Sequence, residues 1–183
     1  MTTENTLNLI LADDHAIFRY GLKAMLEKNN RFRVIAEAAN GEELVNLVKQ
    51  FKPQVVLADM MMPVLSGIEA IRKIKEINDP PPCIALSTFN NEHLIIEALE
   101  AGAAGYIVKN ADKGEIETAI QTVYEGHPYY CKSTSAKVTG MLIKSPFNPY
   151  TRIPSLFSVN GKKRSSGTSV RKKQAMKSAG YYV

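Results

Sequence analysis

Short apolar runs alternate with longer segments of helical period over the first 125 residues of the chain. Several of the short runs are apolar throughout, as expected for parallel strands that are buried on both faces. The five runs of strand length span residues 7–12, 33–38, 55–58, 83–86 and 105–108. Segments with apolar residues at helical spacing follow them, and turn or cap residues such as Asn40-Gly41, Ser66-Gly67 and Asp112 lie between. The pattern predicts five β-α pairs.

Strands and helices that alternate in this way favour one open parallel sheet with helices on both faces, because right-handed crossovers pack the helices onto the sheet. In such sheets, ligands bind at the carboxyl ends of the strands. Functional side chains are therefore expected directly after each predicted strand. The residues there are Asp13-Asp14-His15, Ala39-Asn40, Asp59-Met60-Met61, Ser87-Thr88 and Lys109-Asn110.

The carboxylates of Asp13, Asp14 and Asp59 end two strands that this topology can place side by side. Like charges that are buried together are costly unless a cation neutralises them. Oxygen ligands without cysteine or an obligatory histidine suit Mg²⁺, which binds through a few carboxylates and retains several waters. Any one of these residues alone is more often a helix cap or a solvated charge, but the three together predict a magnesium site.

Lys109 and Ser87 end two further strands and add donors to the same edge. An ammonium group and a hydroxyl can contact the oxygens of a phosphoryl group, and an aspartate can accept such a group. Taken alone, Ser87 is equally well a turn hydroxyl, and Lys109 is a solvated surface lysine. Together with the carboxylates, they indicate phosphoryl transfer.

At these positions the sequence resembles the receiver domain of bacterial two-component response regulators, over residues 7 to about 125. The matching pieces, in order, are Asp13-Asp14, VVLADMMMPVLSGIEA with Asp59, ALST with Ser87, and AGAAGYIVKN with Tyr106 and Lys109. Many receivers have a proline two residues after the lysine, where this chain has Ala111, so the resemblance is nearest to the LuxR-type branch. The resemblance implies the flavodoxin-like receiver fold with a five-stranded parallel sheet.

The resemblance also implies a role for each residue at the strand ends. Asp59 would accept the phosphoryl group from a histidine kinase, and Ser87 and Lys109 would bind that group. The implied Mg²⁺ ligands are Asp13, Asp14, Asp59 and the backbone carbonyl of Met61. The chain would then be a signalling module and not an enzyme.

Ser87 and Tyr106 are the switch residues that the resemblance implies. In the family, the hydroxyl moves toward the new phosphoryl group and the aromatic residue turns inward, which alters the surface around the fourth helix and fifth strand. The missing proline favours a phosphorylation-dependent homodimer through the first and fifth helices. Met61 and Phe89 are apolar and lie two residues beyond Asp59 and Ser87, so we predict slow hydrolysis of the acyl phosphate.

Two enzyme classes on related sheets fit the sequence less well. A phosphohydrolase usually has a second aspartate two residues after its nucleophile, where this chain has Met61. A flavin carrier needs a phosphate loop rich in Ser, Thr and Gly after its first strand, where Asp13-Asp14-His15 would repel phosphate. We interpret His15 as the residue that opens a helix and not as a metal ligand.

Composition excludes other classes of protein. Hydrophobic residues make up 45% of the 183 residues, charged residues 22%, and no apolar run approaches the roughly 20 residues of a membrane helix. The N-terminus has no basic leader, so we expect a cytoplasmic protein without a signal peptide or membrane contact. The two cysteines, Cys83 and Cys131, are too few and too far apart for a disulfide framework or a zinc site.

Charge divides the chain into two parts. All 18 acidic residues lie between Glu4 and Glu125, and 11 of the 23 Lys and Arg residues lie after position 130. Residues 1–130 therefore carry 12 basic against 18 acidic groups, and residues 131–183 carry 11 basic groups and no acidic one. We predict a receiver domain over 1–126, a linker over 127–144 and a basic, largely disordered tail over 145–183.

LuxR-type regulators carry a helix-turn-helix domain where this tail lies, and only Leu156-Phe157-Ser158 resembles its opening. A truncated chain, an altered reading frame and a genuinely different tail would each explain the difference. The alternative function is thus a DNA-binding transcription regulator whose reader domain is truncated or frame-shifted in this chain. DNA binding would need a complete C-terminal domain, or would occur without sequence selectivity through the basic tail.

Overall fold

A computed structural model describes residues 6–28, 30–89 and 91–130. Within these residues, six strands alternate with five helices. The strands are β1 (Leu7–Ala12), β2 (Phe32–Ala38), β3 (Val55–Asp59), β4 (Cys83–Ser87), β5 (Gly105–Val108) and β6 (Tyr129–Tyr130). The helices are α1 (Ala16–Leu26), α2 (Gly41–Phe51), α3 (Gly67–Lys75), α4 (Glu92–Glu100) and α5 (Lys113–Tyr124).

The strands form one sheet in the order β2-β1-β3-β4-β5-β6, and every neighbouring pair is parallel. This order reverses direction between β1 and β3, which is the switch point where ligands bind in doubly wound sheets. The predicted α/β fold with a five-stranded parallel core is confirmed. The structure adds a sixth strand at the β5 edge.

Apolar side chains fill both faces of the sheet. Successive residues of a strand point to opposite faces, so Ile10 belongs to one buried cluster and Leu9 to the other. Helices α2, α3 and α4 complete the first cluster, and α1 and α5 complete the second. The sheet is therefore rigidly held between two helical layers, and polar chemistry is left to its carboxyl edge.

Side-chain caps fix where several helices begin. Asn40 and Asp112 accept hydrogen bonds from the backbone N–H of Glu43 and Glu115, at 2.9 and 2.8 Å. Ser66 forms a reciprocal capping box with the residue three positions on, which sets the start of α3. The predicted cap at Asp112 is confirmed.

The short strand β6 lies where the sequence predicts the start of a linker. Tyr129 and Tyr130 pair in parallel with Gly105 and Tyr106. A β carbon at Gly105 would lie 3.2 Å from the carbonyl oxygen of Tyr129, so glycine allows the close approach. Two residues are too few to show a strand period, which is why the pattern does not predict β6. The predicted linker beyond residue 130 and the basic tail lie outside the described residues.

Among the described residues, no helix has the length and apolar character needed to cross a membrane.

Candidate functional site

Three acidic side chains meet at the carboxyl edge of the sheet. Because β1 pairs with β3, the turn after Ala12 lies beside the end of the neighbouring strand. One oxygen from each of Asp13, Asp14 and Asp59 lies within 4.8 Å of the others, and a ring nitrogen of His15 completes the group. The expected convergence of the three carboxylates is confirmed, and their atoms could hold a metal ion.

Lys109 reaches into this cluster from the end of β5. Its Nζ lies 2.6 Å from Asp13 Oδ2 and 2.9 Å from Asp59 Oδ2, and its side chain is only 13% exposed. The same ammonium group lies 4.8 Å from the centroid of the Phe18 ring. Lys109 is therefore a partly buried member of the site, unlike the solvated lysine that its sequence position alone suggests.

The electrostatics of the cluster follow from burial and from an excess of negative charge. Burial raises the pKa of the Asp59 carboxyl, although the hydrogen bond from Lys109 acts in the opposite direction. Burial alone would lower the pKa of Lys109, but its hydrogen bonds to Asp13 and Asp59 outweigh it and the pKa is raised. Three carboxylates and one ammonium leave a formal charge of −2, which one divalent cation would neutralise.

His15 is closer to the acidic cluster than the sequence indicates. It precedes α1, as expected, but its Nδ1 also lies 2.9 Å from Asp14 Oδ1 and 3.3 Å from Asp13 Oδ1. Its backbone N–H donates to Asp13 Oδ1 at 2.9 Å. The imidazole is 71% exposed, whereas the Asp13 side chain is 3% exposed. The direct adjacency of His15 to the acidic pair is the sequence signal for this contact.

The loop between β3 and α3 folds closely over the end of β3. The Met61 backbone N–H donates to Asp59 Oδ1 at 3.3 Å, and the Met61 side chain is exposed. A β carbon at Gly67 would collide with the backbone carbonyl of Asp59, so this return of the loop requires glycine. Val64, at the tip, has a positive φ of 67° and an 80% exposed side chain. The loop thus combines a tight return with local backbone strain.

Ser87 and Tyr106 share one acceptor. The Ser87 hydroxyl donates to the backbone carbonyl of Phe89 at 3.0 Å, and the Tyr106 hydroxyl donates to the same oxygen at 2.6 Å. Both residues are buried. The structure therefore joins the two predicted switch residues through Phe89, and the Ser87 hydroxyl bonds to this loop and not to the carboxylates.

The sequence model of the response regulator receiver domain matches residues 9–121. The chain belongs to this family. Among curated relatives, transcriptional regulatory protein YdfI of Bacillus subtilis (strain 168) is 42% identical over 115 residues, which are 63% of this chain and 52% of that protein. DegU of Brevibacillus brevis, also a transcriptional regulatory protein, is 34% identical over 77% of this chain and 58% of its own length. The chain spans little more than half the length of these relatives.

Solved structures support the same assignment. A LuxR-family two-component response regulator from Aurantimonas sp. SI85-9A1 superposes with a TM-score of 0.71 at 28% identity, covering 76% of this chain and 99% of that one. The isolated receiver domain of RcsB from Salmonella enterica serovar Typhimurium, solved with the phosphomimetic BeF3-, gives a TM-score of 0.65 at 26% identity, covering 73% of this chain and 99% of that one. The resemblance to LuxR-type receivers is confirmed.

Proposed function

We propose that this response regulator is phosphorylated on Asp59 by a histidine kinase and that phosphorylation changes a surface which contacts a partner. The contact that carries the proposal is the bridge from Lys109 Nζ to both Asp13 Oδ2 and Asp59 Oδ2. It joins an acceptor, a second carboxylate and a fixed positive charge in one buried pocket. We propose that the chain is a signalling module and not an enzyme, because the proposed phosphoryl transfer modifies the chain itself.

In the proposed step, a carboxylate oxygen of Asp59 attacks the phosphorus of a phosphohistidine. The new O–P bond forms as the P–N bond breaks, and the bond electrons pass to the imidazole, which takes up a proton. The product on this chain is a mixed anhydride. The raised pKa of Lys109 keeps its ammonium charged, so it can pair with a phosphoryl oxygen after transfer.

The donor set suits Mg²⁺. Asp13, Asp14 and Asp59 offer hard oxygen atoms within 4.8 Å of one another, and the backbone carbonyl of Met61 belongs to the adjoining loop. We propose these four residues as the ligands. When bound, Mg²⁺ would neutralise the clustered carboxylates and the charge on the transferring phosphoryl oxygens. Lys109 holds the Asp13 and Asp59 carboxylates close together through its contacts with both.

The shared acceptor suggests how the signal leaves the pocket. If the Ser87 hydroxyl turns toward a phosphoryl group on Asp59, it gives up the Phe89 carbonyl, and the Tyr106 hydroxyl remains as the partner of that oxygen. The loop before α4 then changes its contacts. We propose Ser87 and Tyr106 as the switch pair on this basis.

A homodimer through α1 and α5 is the proposed output. Ile17 and Tyr20 on α1 are 90% and 74% exposed, and Tyr124 at the end of α5 is 42% exposed. Apolar groups exposed on two helices that pack against each other form a surface suited to a second copy of the chain.

We also propose a receiver domain over residues 1–126, a linker over 127–144 whose first part contains β6, and a basic tail over 145–183. Both curated relatives are named transcriptional regulatory proteins, which supports the alternative that this protein regulates transcription. Here DNA would be read by a complete C-terminal domain, or bound non-selectively by the tail. We propose that the reaction takes place in the cytoplasm, where a histidine kinase has access to ATP.

The test is incorporation of phosphate from acetyl phosphate with Mg²⁺, or binding of beryllofluoride, in wild type and Asp59→Asn. We expect labelling of the wild type and its loss in the variant. Asp79→Asn is the matched control, because Asp79 is exposed and lies between α3 and β4. Size-exclusion chromatography of the labelled chain reports the dimer. Equal labelling of Asp59→Asn and wild type would overturn the proposal.

A further inference from the structure

Asp13 has a hydrogen bond or an ion pair at each of its polar atoms. Its backbone N–H donates to the carbonyl of Ala38 on β2 at 3.1 Å, and its Oδ1 accepts the N–H of His15 at 2.9 Å. Its Oδ2 contacts Lys109 at 2.6 Å. The remaining acceptor, its backbone carbonyl, is bonded by the guanidinium of Arg19. This last contact comes from a side chain that the proposed chemistry does not use.

Arg19 makes that contact while anchored elsewhere. Its Nε donates to Glu37 Oε2 at 3.1 Å, and Lys23 Nζ lies 2.8 Å from the other oxygen of the same carboxylate. The Arg19 side chain is 18% exposed and that of Glu37 31% exposed. The hydrogen bond from Lys23 leads the contacts that lower the pKa of Glu37, so the carboxylate stays charged at neutral pH. Glu37 directly precedes Ala38 in β2. The backbone N–H of Asp13 bonds to Ala38, and its backbone carbonyl is linked through Arg19 to Glu37, so both backbone groups are fixed to consecutive residues of one strand.

We propose that Arg19, anchored by Glu37, is a positioning residue that sets the turn after β1 and thereby the placement of the Asp13 and Asp14 carboxylates toward Mg²⁺. The inference rests on the proposed function. The planar guanidinium has donors at fixed angles, so it can serve Glu37 and the Asp13 carbonyl at once. A lysine offers one ammonium group on a flexible stem and lacks this fixed fork geometry.

Two possible roles of Arg19, as a positioning residue or only as a positive charge, predict opposite changes in Mg²⁺ affinity when it is replaced. Arg19 is a cation beside an acidic pocket, so its field alone opposes the binding of a second cation. If charge were its only influence, removing it would tighten Mg²⁺ binding. If Arg19 fixes the turn, removing it weakens Mg²⁺ binding, as the loss of groups that orient metal ligands commonly does.

The experiment is a Mg²⁺ titration of the full chain followed by backbone amide resonances, with thermal unfolding as a check of folding. We expect Arg19→Gln to weaken Mg²⁺ binding about tenfold, with a smaller loss in Glu37→Gln. Arg19→Lys retains the charge and should recover only part of the affinity. Lys23→Gln is the matched control, because it removes a positive charge that pairs with the Glu37 carboxylate and leaves the contact from Arg19 to Asp13 in place. Its Mg²⁺ affinity should stay within about twofold of wild type.

Unchanged or tighter Mg²⁺ binding in Arg19→Gln would overturn the inference, as would an equal loss in Lys23→Gln. If Arg19→Gln does not fold, Arg19→Lys and Glu37→Gln decide the matter, and wild-type affinity in both counts against positioning. A different result sinks the proposed function itself: wild type that fails to bind Mg²⁺, or binding that Asp59→Asn leaves unaltered. The wild-type and Asp59→Asn titrations therefore separate the two failures.

Discussion

Replacing Asp59 by asparagine should stabilise the fold in metal-free buffer. The Asp59 side chain is 5% exposed and shares its pocket with two other carboxylates. Asparagine has nearly the same shape and no charge, so the substitution removes like-charge repulsion and the cost of burying an ion. It also removes the ion pair with Lys109, and the sign of the result depends on which of these effects is larger.

The distances allow an estimate. At an effective dielectric constant of about 20, each like charge within 4.8 Å repels the Asp59 carboxylate by at least about 3.5 kcal/mol. Lys109 at 2.9 Å attracts it by about 6 kcal/mol. The repulsion from Asp13 and Asp14 and the attraction to Lys109 are thus of similar size, so the cost of burying the Asp59 charge decides the sign. We expect Asp59→Asn to raise the free energy of unfolding by about 1–2 kcal/mol and the melting temperature by about 4–8 °C.

The pH dependence gives a second signature. The pKa of Asp59 is raised above its ordinary value of 3.8, so the folded chain binds this proton more tightly than the unfolded chain does. Ionised Asp59 therefore destabilises the fold by its full amount above the raised pKa. This destabilisation disappears as the pH falls toward 3.8 and the carboxyl takes up a proton. The advantage of Asp59→Asn should shrink over that interval, because protonated aspartate and asparagine are both neutral.

Urea and thermal unfolding followed by circular dichroism in EDTA measure both effects. Asp79→Asn makes the same chemical change at an exposed residue with a φ of 57° and should alter stability by less than about 0.5 kcal/mol. The electrostatic reasoning is refuted if Asp59→Asn is less stable than wild type at neutral pH. It is also refuted if the gain does not depend on pH.

Two further predictions concern the loop between β3 and α3. Val64→Asn should stabilise the fold by about 1 kcal/mol in urea unfolding, because asparagine tolerates the left-handed backbone and the exposed valine side chain packs little. Val64→Thr is the control, since threonine retains the branched β carbon. An equal gain in Val64→Thr would argue against relief of backbone strain. Met61→Asn should shorten the lifetime of the acyl phosphate several-fold by admitting water beside Asp59, and an unchanged rate of phosphate release would contradict this.

Most of the fold could be predicted because its signals are local. Four of the predicted strands begin at the observed residue, and β2 begins one residue earlier, at Phe32. Continuous apolar runs and capping side chains such as Asp112 report on their own segment, so no tertiary information is needed. Strand β6 is different, since its two residues are ordered by pairing with Gly105 and Tyr106 on a distant part of the chain.

The site was predicted to the extent that topology alone determines it. Parallel strands bring their carboxyl ends to one edge, so Asp13, Asp59 and Lys109 had to meet once the strand order was known. Side-chain rotamers decide the rest. The hydroxyl of Ser87 bonds to Phe89, and the anchor of Arg19 joins residues 18 positions apart, and neither contact leaves a periodic trace in the sequence.

The repulsive charges of the domain are concentrated at one edge, and this affects how a signal could spread. The carboxylate cluster includes Asp59, and the left-handed Val64 is in the loop that follows Asp59, whereas two apolar layers hold the sheet behind them. A ligand that neutralises the cluster therefore changes the energy of the loops around it much more than that of the core. Phe89 is in such a loop and its carbonyl is shared by Ser87 and Tyr106. We expect the change on phosphorylation to be largest there, because the Phe89 carbonyl can lose the Ser87 hydroxyl and keep the Tyr106 hydroxyl without repacking the sheet.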